Sequence, residues 1–294
     1  MKDIIKNLLP NFILKRVQDI LKLLRKKRYI NHKSTIAINY YDGIINLYKG
    51  SFTDDLLLNS GNYEENLQRV MKGLVTEGDV VIDIGANIGI HTILLSKLVG
   101  KEGRVIAFEP VPHLLKRLNT NLTLNSCRNT TVCNYAIGNE NKKTSMNAVS
   151  EEDFNQGSSS LVLNENLSLG HIQIDDLEVN VRKLDDLYNE LGLNKINFIK
   201  MDIEGFEYFA LQGMSKIIRD HRPSLIIEYN VERLNFLNIS NNDMKSLIGE
   251  TYNCYEISKQ DYYDETFSLL PFNFDRNIQS DLLAIPNNIY NGEI

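Results

Sequence analysis

The run Val80-Val81-Ile82-Asp83-Ile84-Gly85-Ala86-Asn87-Ile88-Gly89-Ile90-His91 constrains the fold of this chain more than any other stretch. Apolar residues load a short strand, an acid stands near its carboxyl end, and glycines follow at Gly85 and Gly89. An amphipathic segment, Ile90 to Leu98, comes directly after, so the run predicts strand, tight turn and helix. Glycine permits the turn and a close backbone approach, and a new helix offers unpaired N–H groups. In an open α/β sheet such a crevice is where nucleotide-like ligands bind. Asn87 occupies the place of the middle glycine of the dinucleotide fingerprint, which disfavours a nicotinamide dehydrogenase. A second apolar strand, Val105-Ile106-Ala107-Phe108, ends in Glu109-Pro110. Its carboxylate is well placed to accept hydrogen bonds from two vicinal hydroxyls.

From Val80 onward strand and helix patterns alternate, which implies parallel strands joined by crossovers. Strands are expected near 80–84, 104–108, 130–134, 196–201, 224–228, 252–257 and 281–285. Before them, Thr35-Ile36-Ala37-Ile38 and Gly43-Ile44-Ile45-Asn46-Leu47 read as short antiparallel strands within about 34 to 60, and Glu64 to Gly73 reads as a helix. Residues 141–180 interrupt the rhythm. They are rich in Asn, Ser and Glu around Gly157-Ser158-Ser159-Ser160-Leu161, with short strands expected at Ile172-Gln173-Ile174 and Leu177-Glu178-Val179. An insertion at the carboxyl edge of a sheet suits substrate selection, which makes Ser159 a candidate substrate contact; a surface loop is the equal alternative. The domain reading is therefore a segment 1–30, an accessory 31–74, and a main domain 75–290 carrying the insertion near 141–180.

The chain has 294 residues, 43% hydrophobic and 24% charged, which suits a globular fold with a sizeable core. A net charge of −6 argues against a general nucleic-acid binder, but the charge is uneven. Residues 1–30 carry nine Lys or Arg against two Asp, a net of +7 that leaves −13 for the rest. Ile4, Ile5, Leu8, Leu9, Ile13, Leu14, Val17, Ile20, Leu21 and Leu24 recur there at helical spacing, with Pro10 as a break. One reading is peripheral attachment to the inner face of an anionic membrane. The other is a helix packed on the main domain or on a second copy in a homo-oligomer. No apolar run is long enough to span a bilayer, and Lys15, Arg16 and Asp19 interrupt any signal-peptide core. Cys127, Cys133 and Cys254 form neither a metal spacing nor an even disulfide framework, so the expected compartment is the cytoplasm.

The pairing of D-x-G-A-N-x-G (Asp83 to Gly89) with F-E-P (Phe108 to Pro110) resembles class I S-adenosylmethionine-dependent methyltransferases. Three further stretches narrow the resemblance to the FkbM-type methyltransferases. These are Lys183-Leu184-Asp185-Asp186-Leu187, Lys200-Met201-Asp202-Ile203-Glu204-Gly205-Phe206-Glu207, and Arg222-Pro223-Ser224-Leu225-Ile226-Ile227-Glu228. They stand in the family's order and span roughly residues 75 to 286. The resemblance implies a Rossmann-like, mostly parallel seven-stranded sheet with an antiparallel last strand. It also implies S-adenosyl-L-methionine as cofactor and O-methylation, often of sugars in polysaccharides, glycolipids or natural products. Other acceptors (a lipid, a peptide nitrogen, another small molecule) and a non-catalytic cofactor-binding protein are the alternatives.

On that basis Asp83 receives the cofactor's amino end directly or through water, and Gly85, Ala86 and Gly89 allow close contact. Asn87 either bonds the methionine portion or simply tolerates a left-handed turn. Glu109 takes the ribose hydroxyls, Pro110 turns the chain away, and Ala136 lies beside the adenine. Asn121 and Asn125 share a helical face and could both be presented, local capping being the alternative. Asp202, at the end of an apolar strand, could orient the acceptor hydroxyl, accept its proton or sit near the sulfonium, and with Glu204 it is the candidate base; Glu204 and Glu207 also suit a helix N-terminus. Glu207, Glu228 and His91 are candidate acceptor contacts, His91 being also a further candidate base or simply a packing residue. A divalent ion between Glu228 and Asp202 has no supporting spacing, so no metal is expected. His113, His171 and His221 read as surface or capping residues.

Overall fold

The computed structural model describes residues 35–40, 43–48, 51–61, 63–149, 159, 161, 174–257, 269–275 and 279–287. The basic segment 1–30 and most of the insertion fall outside the described residues, so the expectations made for them, the strand start at Ile172 included, are not addressed by it. The first described elements are the antiparallel hairpin β1 (Thr35–Tyr40) and β2 (Gly43–Tyr48), as the sequence pattern predicts. Two helices follow, α1 (Phe52–Ser60) and α2 (Glu65–Leu74). α1 departs from the expectation of strands and a turn up to residue 60. Asp54 and Asp55 occupy its first turn, where they favour the helix dipole, and left-handed Gly61 closes it by donating to Leu57 O.

The alternating core begins with β3 (Val80–Ile84), α3 (Ile90–Leu98), β4 (Arg104–Phe108), α4 (Pro112–Leu124) and β5 (Thr130–Cys133). A small three-stranded sheet interrupts it, made of β6 (Ala136–Ile137), β7 (Lys142–Val149) and β8 (Ile174–Arg182) in the order β6-β8-β7. β7 was not expected, and residues 174 and 177–179 belong to the single strand β8. The core resumes with α5 (Leu184–Glu190), β9 (Phe198–Met201), α6 (Glu207–Gln212), α7 (Ser215–His221) and β10 (Ser224–Tyr229). It ends with α8 (Val231–Phe236), α9 (Asn241–Ile248), β11 (Tyr252–Ile257), β12 (Leu269–Pro271) and β13 (Ser280–Pro286).

The main sheet runs β12-β11-β13-β10-β9-β3-β4-β5. Its central strands are parallel, and β13 is antiparallel to both neighbours, β10 and β11. The sheet has eight strands rather than seven because the short edge strand β12 adds to β11. Alternation along each strand covers both faces. Ile82 and Ile84 pack with Leu184, Leu211 and Ile217 on one side, whereas Val81 packs with Met71 and Leu95 on the other. Each such fully buried aliphatic side chain contributes about 1.5–3 kcal/mol, so the frame that carries the loops is rigid.

Two acids of the sequence motifs are structural. Asp185 accepts hydrogen bonds from the backbone N–H of Lys216 and Ile217, both at 3.0 Å, and so caps α7. Glu207 takes up the N–H groups of Ile203 at 2.8 Å and Gly205 at 3.3 Å, closing the turn after β9. That turn needs left-handed backbone at Glu204 (φ 56°) and Gly205 (φ 98°).

Candidate active site

β3 delivers the chain to Gly85, whose φ is 79°. A Cβ there would lie 1.9 Å from the Asp202 carbonyl oxygen, so only glycine lets β3 and the end of β9 pass this closely. The N–H groups of Gly85 and Ala86 both donate to Phe108 O at 3.0 Å. Asn87 takes the left-handed conformation (φ 50°), and its N–H donates to Glu109 Oε2 at 2.9 Å. The other Glu109 oxygen accepts from Val111 N–H at 2.9 Å. One carboxylate therefore clamps the loops that follow β3 and β4. Burial, only partly offset by these two hydrogen bonds, pushes the Glu109 carboxyl up to about 7.

A cavity of about 350 Å³ opens at the carboxyl ends of β3, β4 and β9, within the usual range for a small-molecule site. Gly85, Ala86, Asn87, Glu109, Pro110 and Ala136 lie on its wall, together with Phe108, Tyr135 and Ile137. Because the sheet order is β9-β3-β4-β5, these residues form the side towards β5. On the side towards β9 the wall is made by Asp202, Glu204, Phe206 and His91, joined by Thr53, Tyr63 and Glu64 from the N-terminal elements. Ser159, Leu161 and Met146 complete it, the Ser159 hydroxyl accepting from Val149 N–H at 2.9 Å.

Lys200 lies on the wall but is only 3% exposed. Its Nζ donates to Gly85 O at 3.2 Å and faces Asp83 Oδ1 at 3.5 Å and Asp202 Oδ2 at 3.7 Å. Burial works against its charge, yet Asp83, Asp202 and Glu64 outweigh that and hold the ammonium above its ordinary pKa. Among the described residues it is the only Lys or Arg on the cavity wall. His91 is kept neutral, its pKa lowered to about 3 by burial and then by Lys200. Its Nε2 is 3.5 Å from Glu64 Oε2. The Tyr63 phenol is held protonated by burial and then by Glu64, Asp202 and Glu204.

Several sequence-predicted site residues stand elsewhere. Asp83 is fully buried behind the loop, accepting from Thr92 Oγ1 at 2.6 Å and facing Lys200, so it is closed to a ligand's amino group. Gly89 begins α3, and a Cβ there would lie 2.7 Å from Leu118 Cδ1; it serves helix packing, not the wall. Asn125 is off the cavity altogether. It accepts from Ile44 N–H at 2.8 Å and donates to Ile44 O at 2.6 Å, while Asn121 accepts from Asn46 N–H at 2.9 Å. The asparagine pair thus docks β2 on α4, and Asn121 also supports the glycine loop through Ile88 O at 2.8 Å. Glu207 is 2% exposed beneath the turn it caps, with its carboxyl raised to about 7 by burial. Glu228 pairs with Gln279 at 2.6 Å, and burial followed by the charges of Asp202, Glu207 and Glu204 raises its carboxyl to about 10. No cluster of three or more His, Cys, Asp or Glu among the described residues is arranged to hold a metal ion.

Thr53, Tyr63, Glu64 and Lys200 were not among the sequence-predicted site residues. Lys200 had a signal, a charge inside the apolar strand Phe198–Met201. The other three come to the wall by long-range packing that no local pattern reveals.

The sheet order with β13 reversed between β10 and β11, the glycine loop and the strand-end acids define a class I methyltransferase fold. The family model described as methyltransferase FkbM domain matches residues 83–262, and the chain belongs to that family. A model for protein-L-isoaspartate(D-aspartate) O-methyltransferase matches residues 2–140. Among curated relatives, Methyltransferase 1 of Beauveria bassiana (strain ARSEF 2860) is 22% identical over 158 residues, covering 50% of this chain and 63% of that protein. The chain therefore spans less than two thirds of that relative's length. A solved structure of methyltransferase FkbM from Methylobacillus flagellatus KT is 16% identical, covers 91% of this chain and 60% of the other, and has a TM-score of 0.44. Fibrillarin from Aeropyrum pernix, solved with natively bound S-adenosyl-L-methionine, is 12% identical over 75% of this chain and 74% of the other, with a TM-score of 0.41. No helix among the described residues is long and apolar enough to cross a membrane.

Proposed function

We propose that this chain is an S-adenosylmethionine-dependent methyltransferase that methylates a hydroxyl of a sugar in a glycan, glycolipid or natural product. The observation that carries the reading is the meeting of Gly85 and Asp202. The loop that would cradle the cofactor and the strand-end acid that would meet the acceptor share one cavity wall. The cavity suits the cofactor in its parts. Glu109 keeps free lone pairs for a ribose diol beyond its two backbone donors, and Phe108, Tyr135, Ala136 and Ile137 offer an apolar slot for a base.

When bound, S-adenosylmethionine supplies a methyl group on a sulfonium, which is a good leaving group. The residues of the chain then have two tasks. The first is holding the acceptor oxygen in line, which supplies much of the acceleration in such a displacement. The second is taking up the hydroxyl proton as that oxygen gains its methyl. Asp202 Oδ is the acceptor atom in this reading, with its side chain 33% exposed at the cavity. Glu64, Asp202 and Glu204 put like charge on the acceptor side. That supports a neutral hydroxyl over a carboxylate as acceptor, since like charges repel.

The test is transfer of labelled methyl from S-adenosylmethionine to glycan fractions, comparing wild type with Asp202→Asn. Turnover should fall by a factor of about 10²–10⁴ with S-adenosylhomocysteine affinity retained. Equal turnover of the variant removes Asp202 from this role, and labelling of no glycan fraction removes the sugar acceptor.

A further inference from the structure

Lys200 is a charged residue in the middle of an apolar parallel sheet, and folding alone does not call for it there. It stands directly across from Asp83 in the β3–β9 register. Its ammonium is shared among three oxygens of different elements: the Asp83 carboxylate, the Gly85 carbonyl and the Asp202 carboxylate. Asp83 is shut away from the cavity, whereas Asp202 is on its wall. On the β9 side of the glycine loop the wall thus presents the Asp202 carboxylate, screened by Lys200, while Glu109 stands on the β4 side. Glu207, Glu228 and the Tyr63 phenol also feel the Asp202 charge, while Glu64, Glu109 and His91 feel that of Lys200.

We propose that Lys200 is a positioning residue that fixes Asp202 beside the glycine loop and screens its charge, so that a sulfonium methyl donor and its neutral thioether product bind with comparable strength. The proposal rests on the cavity being the cofactor site. Methyl transfer removes a positive charge from the cofactor. A bare carboxylate there would hold the charged donor tightly in the ground state and give up that attraction on the way to product. An ammonium 3.7 Å from Asp202 offsets the attraction without removing the proton acceptor.

The experiment is calorimetric titration with S-adenosylmethionine and with S-adenosylhomocysteine, the ratio of their dissociation constants being the readout. Lys200→Met should shift the ratio towards the charged donor by roughly tenfold or more. Lys200→Arg should keep it near wild type, and adding Asp202→Asn to Lys200→Met should cancel the shift, which shows that the effect runs through Asp202. If the single variant misfolds because Asp83 is stranded, Asp83→Asn/Lys200→Met removes the stranded acid and must show the same shift. An unchanged ratio with both ligands still bound overturns the role of Lys200 alone. Failure of the wild type to bind either ligand overturns the cofactor reading, and this proposal with it.

Discussion

A Cβ on Gly85 would sit 1.9 Å from the carbonyl oxygen of Asp202, so the two strand ends that make the cavity touch backbone to backbone. Gly61 is also left-handed, at φ 72°, but a Cβ there meets nothing within 4 Å among the described residues. The pair separates conformational cost from collision. Gly61→Ala should cost about 1–2 kcal/mol, the left-handed penalty alone. Gly85→Ala should cost a further 1–3 kcal/mol or so, as expected for overpacking. Urea denaturation of both variants decides it, and equal costs would mean that β9 yields freely.

The buried pair Arg117–Asp54 holds α1 against α4, with side chains 4% and 0% exposed. The Arg117 guanidinium also stacks 4.3 Å from the Tyr48 ring centroid. Replacing Asp54 by Ala removes the carboxylate partner of a buried cation, so we expect a loss of about 3–5 kcal/mol. Denaturant unfolding measures it, and a loss below about 1 kcal/mol would show that the N-terminal elements are not anchored there.

Under the proposed function, Glu109 makes cofactor binding sensitive to pH. Its carboxyl titrates at about 7 in the folded protein, and a ribose diol donates hydrogen bonds to the ionised form. Affinity for S-adenosylhomocysteine should therefore fall as pH drops below 7, by up to about tenfold per unit. Binding near pH 7 should release a proton, visible as a buffer-dependent heat. The same group is more protonated in the folded than in the unfolded chain. Its contribution to stability is thus full at acid pH and is lost as pH rises through about 7. Constant affinity between pH 5.5 and 8.5 would contradict the assignment.

Asn125 holds β2 through both its oxygen and its nitrogen. Asn125→Ala should lower stability by about 1–2 kcal/mol and leave S-adenosylhomocysteine affinity unchanged. A selective loss of affinity would give this residue a part in ligand binding.

The glycine turn, its flanking strands and Glu109 were legible because their signals are local: apolar runs, a period, and glycines at a strand end. Asp202 was legible for the same reason. Asp83 looked like a ligand because an acid after an apolar strand is normally exposed. Its partners, Thr92 nine residues on and Lys200 on another strand, appear only once the sheet is assembled. α1 and the roles of Asn121 and Asn125 depend on contacts 63 to 81 residues apart. Tyr63 and Glu64 reach the cavity through the same docking of the N-terminal elements, which no short window of sequence encodes.

The most direct test of the account is calorimetric titration of the full chain with S-adenosylhomocysteine, wild type against Glu109→Ala. One site per chain is expected, with an affinity at least about tenfold weaker in the variant. Absence of binding by the wild type, or equal binding by both proteins, would contradict it.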